Sequence, residues 1–201
     1  MTHPGHTIIK QGTSETQVRH AMQTARNTEQ LMQFLVTGVI VGITGGVLMM
    51  IFTMLSTATY LHLGFFTPMY AIAVPLIGEQ PLMTSVKDGA FYLAFGPALL
   101  GLAVHLFWSA LWGLIFGLLA RRLHLSGGTA IISGLVYGVL VMLVMIFVVL
   151  PIFGTSNAFQ LLGPFSLLLT AANALFYGMP LGLWPVLQPQ FFAGPTRSQA
   201  V

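Results

Sequence analysis

Residues 93–120 read LAFGPALLGLAVHLFWSALWGLIFGLLA, and Arg121-Arg122 closes the run. Crossing ~30 Å of hydrocarbon takes ~20 apolar residues at 1.5 Å of rise each, and this stretch exceeds that. In lipid the backbone groups must be satisfied within the segment, so the stretch reads as an α-helix. It shows no two-residue alternation of the kind that marks a barrel strand. Three more stretches share its character, at residues 31–59, 129–152 and 164–187. The fold expected is an all-α integral membrane protein, a bundle of four transmembrane helices over residues 31–187. A polar cytoplasmic segment (1–30) precedes the bundle and a cytoplasmic tail (188–201) follows it. Composition agrees: 56% of residues are hydrophobic and 5% charged, with a mean hydropathy of +0.87. A soluble domain carries roughly 25% charged residues to cover its surface.

The cations set the orientation. Lys10, Arg19 and Arg26 precede the first span, Arg121 and Arg122 follow the second, and Arg197 lies in the tail; Lys87 alone falls on the other side. The positive-inside rule then places both termini in the cytoplasm of a multi-pass bacterial inner-membrane protein. Tyr60, Tyr70 and Tyr92 form an expected outer aromatic belt, with Trp184, Phe191 and Phe192 at the inner interface. Within the N-terminal segment, Ser14-Glu15-Thr16-Gln17 has the form of a capping box, with Val18, Met22 and Ala25 at helical spacing behind it. A short amphipathic helix on the headgroups is one reading and a frayed tail the other. The outer connection holds Thr67-Pro68-Met69-Tyr70 through Pro75, too short to span. It is expected as an interfacial or re-entrant elbow.

The chain also reads as two helical hairpins in tandem, a parallel repeat. The second and fourth stretches open with Gly96-Pro97 and Gly163-Pro164, and Trp112-Gly113-x-x-x-Gly117 matches Tyr177-Gly178-x-x-x-Gly182. The first and third share Gly46-Val47-Leu48 and Gly138-Val139-Leu140. Each stretch bears a ladder of small residues at four-residue spacing. The ladders are Gly38/Gly42/Gly46, Ser109/Gly113/Gly117, Ala130/Gly134/Gly138 and Ala174/Gly178/Gly182. They let helix backbones approach closely where no hydrophobic effect drives association.

Few residues could carry chemistry. With no Cys, thiol catalysis, disulfides and Cys-ligated clusters are excluded. No Asp, Glu, Lys or Arg falls inside a span. A polar group in hydrocarbon is a functional candidate by default, and the candidates are His105, Asn173 and Ser133. Ser109, Thr44, Thr53 and Thr170 can each satisfy a hydroxyl on their own helix. The expectation for His105 is one hydrogen bond inside the bundle, to Asn173 or a nearby hydroxyl. Gly101, one turn before His105, with Trp108 and Trp112 after it, resembles the axial-ligand helices of haem b and (bacterio)chlorophyll proteins. That likeness covers one turn and would make His105 a cofactor ligand. No second His lies at its depth, since His62 sits at the outer interface and His20 and His124 near the inner one. His3 and His6 could weakly hold a metal with the terminal amine. Ser133 lacks the Gly-x-Ser-Gly setting of intramembrane serine proteases. Met49, Met50, Met54, Met142 and Met145 could suit Cu(I), yet Met is also an ordinary filler of helix interfaces.

From about residue 31 to 187 the chain resembles small four-helix bacterial inner-membrane proteins with glycine-rich helices and one His-bearing helix. That likeness brings no activity with it. The function expected is a non-enzymatic structural or accessory subunit, in contact with lipid and other membrane subunits and not with nucleic acid. A respiratory or photosynthetic electron-transfer complex is the assembly favoured. Neither a cofactor nor a metal is expected. The alternatives are a small-molecule or ion transporter and a haem- or chlorophyll-ligating subunit through His105.

Overall fold

A computed structural model describes residues 7–89, 91–153 and 165–192, and among these residues there is helix and no strand. Helix α1 spans Thr7–Tyr60, and two short helices follow, α2 (Thr67–Ile77) and α3 (Gln80–Asp88). Helix α4 covers Phe95–Arg122 and α5 Gly127–Ile152. Helix α6 starts at Phe165 and ends at Phe192. Four of the six, α1, α4, α5 and α6, are long and apolar enough to cross a membrane. Their outward side chains are apolar, with Ile132, Phe147 and Leu167 each more than 60% exposed.

Three expectations change at the level of elements. The capping box at Ser14 does not start a helix: α1 is already helical from Thr7 and continues without a break into the first span. No proline lies between Thr7 and Tyr60 to interrupt it. The proline-bearing elbow is helical, and α2 lies against α4, where Gly101 leaves room for the backbone of Met69. The glycine before His105 therefore serves a helix crossing. Tyr70 is not part of an outer belt but is 1% exposed. Its hydroxyl donates to Tyr92 O at 3.0 Å and accepts from Ala94 N at 2.8 Å, so it fastens α2 to the start of α4. Gly163-Pro164, His3, His6 and Arg197 lie outside the described residues, as does most of the second outer loop.

The small-residue ladders pair the long helices. Gly42 and Gly113 meet across α1 and α4: a Cβ on Gly42 would stand 2.5 Å from Ser109 O and 2.8 Å from Gly113 Cα. Gly134 and Gly178 do the same across α5 and α6, where a Cβ on Gly134 would lie 2.6 Å from Gly182 Cα. Backbone thus touches backbone in both pairs. Between the pairs, Phe116, Ala120, Tyr137, Val141, Tyr177 and Leu181 form a buried apolar cluster.

Two of the long helices open into π-turns, at Met145–Val149 in α5 and Asn173–Gly178 in α6. Each is followed two residues later by a proline, Pro151 and Pro180. A proline inside a helix has no N–H for the i−4 carbonyl, and its ring collides with that carbonyl. The ladder shifts to i−5 just before it: Leu150 N–H reaches Met145 O, and Met179 N–H reaches Ala174 O. Such bulges take up the misfit at modest cost.

Candidate functional site

Where the two helix pairs diverge toward α2 and α3 they enclose a cavity of about 560 Å³. Every helix contributes to its lining. Gly46, Met49, Thr53 and Thr57 come from α1, Thr67, Pro68, Ala71 and Ile72 from α2, and Leu82, Met83 and Val86 from α3. On the other side stand His105, Trp108, Ser109 and Trp112 of α4, Val141, Met142 and Met145 of α5, and Phe165, Leu169, Asn173 and Tyr177 of α6. No charged side chain is among them. A volume of this size lies within the ~300–1,000 Å³ typical of small-molecule sites.

Thr67 and Ser85 share a hydroxyl–hydroxyl bond of 2.8 Å between α2 and α3, and four further interhelical hydrogen bonds around the cavity end on backbone carbonyls. His105 Nε2–H donates to Gly46 O at 3.0 Å, joining α4 to α1. Asn173 Nδ2 donates to Gly138 O at 2.7 Å, joining α6 to α5. Tyr177 donates to Ser109 O at 2.6 Å and Tyr137 to Trp112 O at 2.7 Å, tying the second pair to the first. Carbonyls have two lone pairs, so each can accept from a side chain while keeping its helix bond.

The predicted site residues are thus brought to one place but not to one another. His105 and Asn173 line the same cavity, yet His105 is half-buried against α1 and bonds neither Asn173 nor a hydroxyl. The glycines open the way for this, because Gly46 presents a carbonyl that a larger side chain would cover. Asn173 is buried. Ser133 is half-buried and outside the cavity lining, not a buried polar group. Ser109 bonds its own helix at His105 O, as Thr44 does at Ile40 O, Thr53 at Met49 O and Thr170 at Ser166 O. The methionines divide among three apolar clusters, Met49 and Met142 in one, Met50 and Met54 in another and Met145 against the third. Sequence reasoning overlooked Tyr137, saw Tyr177 only as a repeat marker, and read Trp112 as a repeat marker and as one of the aromatics after His105. Mid-span hydroxyls must find an acceptor in hydrocarbon, and that signal was available.

The donor role fixes the His105 tautomer with its proton on Nε2. Nδ1 is then an acceptor, and no described residue donates to it. The indole Nε1–H of Trp112 is buried without a partner among the described residues. Among the described residues no three His, Asp or Glu cluster as a metal site. Compared with known proteins, the chain matches no family model, no curated protein and no solved structure.

Proposed function

We propose that the protein is a non-enzymatic accessory subunit of a larger membrane assembly, embedded in the bacterial inner membrane with both termini in the cytoplasm. One observation carries the reading. His105, the single ionisable residue within a span, donates its Nε2–H to a neighbouring helix's carbonyl. That nitrogen is also the one an axial ligand would use, and the Gly46 backbone occupies the space a macrocycle would need. Haem or chlorophyll ligation by His105 therefore fits poorly with this side chain's setting, and we expect no cofactor. Midplane ion coupling, which usually relies on ionisable groups, gains no support either.

The two pairs are read as a tandem repeat of one hairpin. Support comes from the two polar bonds, since His105 binds the glycine of Gly46-Val47-Leu48 and Asn173 that of Gly138-Val139-Leu140. The apolar outer faces suit lipid and other membrane chains. A respiratory or photosynthetic electron-transfer complex remains the kind of assembly favoured. Purification in mild detergent, followed by identification of co-purifying chains, tests the proposal. A stoichiometric membrane partner is the expected result. A protein that stays single and carries a solute across liposomes would replace the subunit reading with a transporter.

A further inference from the structure

The cavity is larger than packing requires, and its polar groups leave specific capacities unused. His105 Nδ1 can accept a hydrogen bond, and no described residue gives it one. Asn173 uses its Nδ2 on Gly138 O, while no described residue donates to its amide oxygen. A buried polar group without a partner costs free energy that a ligand can recover. A neutral hydroxyl can donate to either acceptor without the desolvation cost of a charge. A carboxylate or phosphate would have to shed its water in a lining that offers no cation. Most of the remaining wall is Met, Leu, Ile, Val, Phe and Trp side chains, which suit an alkyl body, while the hydroxyls of Thr53, Ser109, Thr67 and Tyr177 already have partners. We infer that this cavity binds a neutral lipid-soluble alcohol, its hydroxyl donating to His105 Nδ1 or Asn173 Oδ1 and its alkyl chain toward α2 and α3. The inference rests on the membrane reading, because such a ligand would arrive through the bilayer.

The two cavity tryptophans supply the readout. Trp184 does not line this cavity, so a Trp184→Phe protein in detergent reports through Trp108 and Trp112. The probes are 9,10-dibromooctadecanol and the matching 9,10-dibromooctadecanoate, whose bromines quench indole fluorescence on contact. Saturable quenching by the alcohol is expected, with the carboxylate weaker by about tenfold or more, the equivalent of one hydrogen bond or desolvated charge. In Ala71→Phe, which fills the cavity from α2, the saturable component should vanish. Quenching that is equal for both probes, or that survives Ala71→Phe unchanged, overturns the inference. If Ala71→Phe fails to fold by circular dichroism, native mass spectrometry of His105→Leu with the alcohol decides. Reduced occupancy supports the site and undiminished occupancy refutes it. Cysteine labelling from the two sides of the membrane reads the bilayer independently, so failure of the membrane reading and failure of the cavity assignment give different results.

Discussion

His124 follows α4 in the left-handed region at φ 51°, a conformation that costs a residue with a Cβ roughly 1–2 kcal/mol. It is the C′ residue of a Schellman motif, with Leu125 N–H on Ala120 O at 3.0 Å and His124 N–H on Arg121 O at 3.3 Å. His124→Gly should accordingly raise the thermal midpoint, by about 0.5–1 kcal/mol of stability. An unchanged or lower midpoint would show the imidazole to be needed there. The glycines separate into two kinds on the same argument. Gly42→Ala places a methyl 2.5 Å from Ser109 O, on backbone that cannot step aside. It should cost about 1–3 kcal/mol. Gly96 has nothing within 4 Å of an added Cβ, so Gly96→Ala should be neutral or slightly stabilising; parallel melts in one detergent compare the two. His105→Leu removes the bond to Gly46 O, and polar contacts between membrane helices are worth only about 0.6–2 kcal/mol. The variant should fold, with a loss of that size and an intact bundle. Complete loss of folded protein would mean that His105 does more than hold a carbonyl.

At the scale of elements, the four long helices were legible because each repeats apolar residues past the length of a span. The sequence-based ends at residues 59, 120 and 152 fall within two residues of the observed ones. The glycine ladders were legible for the same reason, as a four-residue period. Other features were hidden. Pro151 and Pro180 lie inside apolar runs, where hydropathy passes over them, and so the π-turns ahead of them were missed. The partner of His105 could not be read because it is a carbonyl, and carbonyls carry no sequence signature. The π-turn in α6 holds one residue more than an α-helical path would need. Deleting outward-facing Leu175, which is 47% exposed, should restore the i−4 ladder. It should also rotate Asn173 by about 100° relative to Gly178 and break its bond to Gly138 O. We expect a larger loss of stability than for Asn173→Leu, because the deletion also throws one half of the α6 ladder out of register with α5. A deletion no worse than that substitution would show that the turn is incidental.

For the whole molecule, orientation is a matter of which ends carry cations. Ser14→Cys should be shielded from a membrane-impermeant maleimide added outside, and Met83→Cys on the exposed side of α3 should react; the reverse pattern inverts the topology. The N-terminal end also bears the feature least foreseen from sequence. Arg121 Nη2 donates to Asn27 O at 3.2 Å, the last grip of α4 on α1, and residues 17–29 carry exposed side chains. A free peptide of that length would be mostly coil. Its first turn must fix several dihedrals for one hydrogen bond, a nucleation constant of about 10⁻³. Joined to a span, the extension needs no nucleus of its own and grows by propagation alone. Its helicity should fray gradually from Thr7 inward on warming, a sloping ellipticity that precedes the cooperative melt of the bundle. A single Gln23→Pro would cut the extension off from its nucleus. The segment from Thr7 to Met22, roughly 16 residues of helix, would then revert to coil while the four spans melted where they did before.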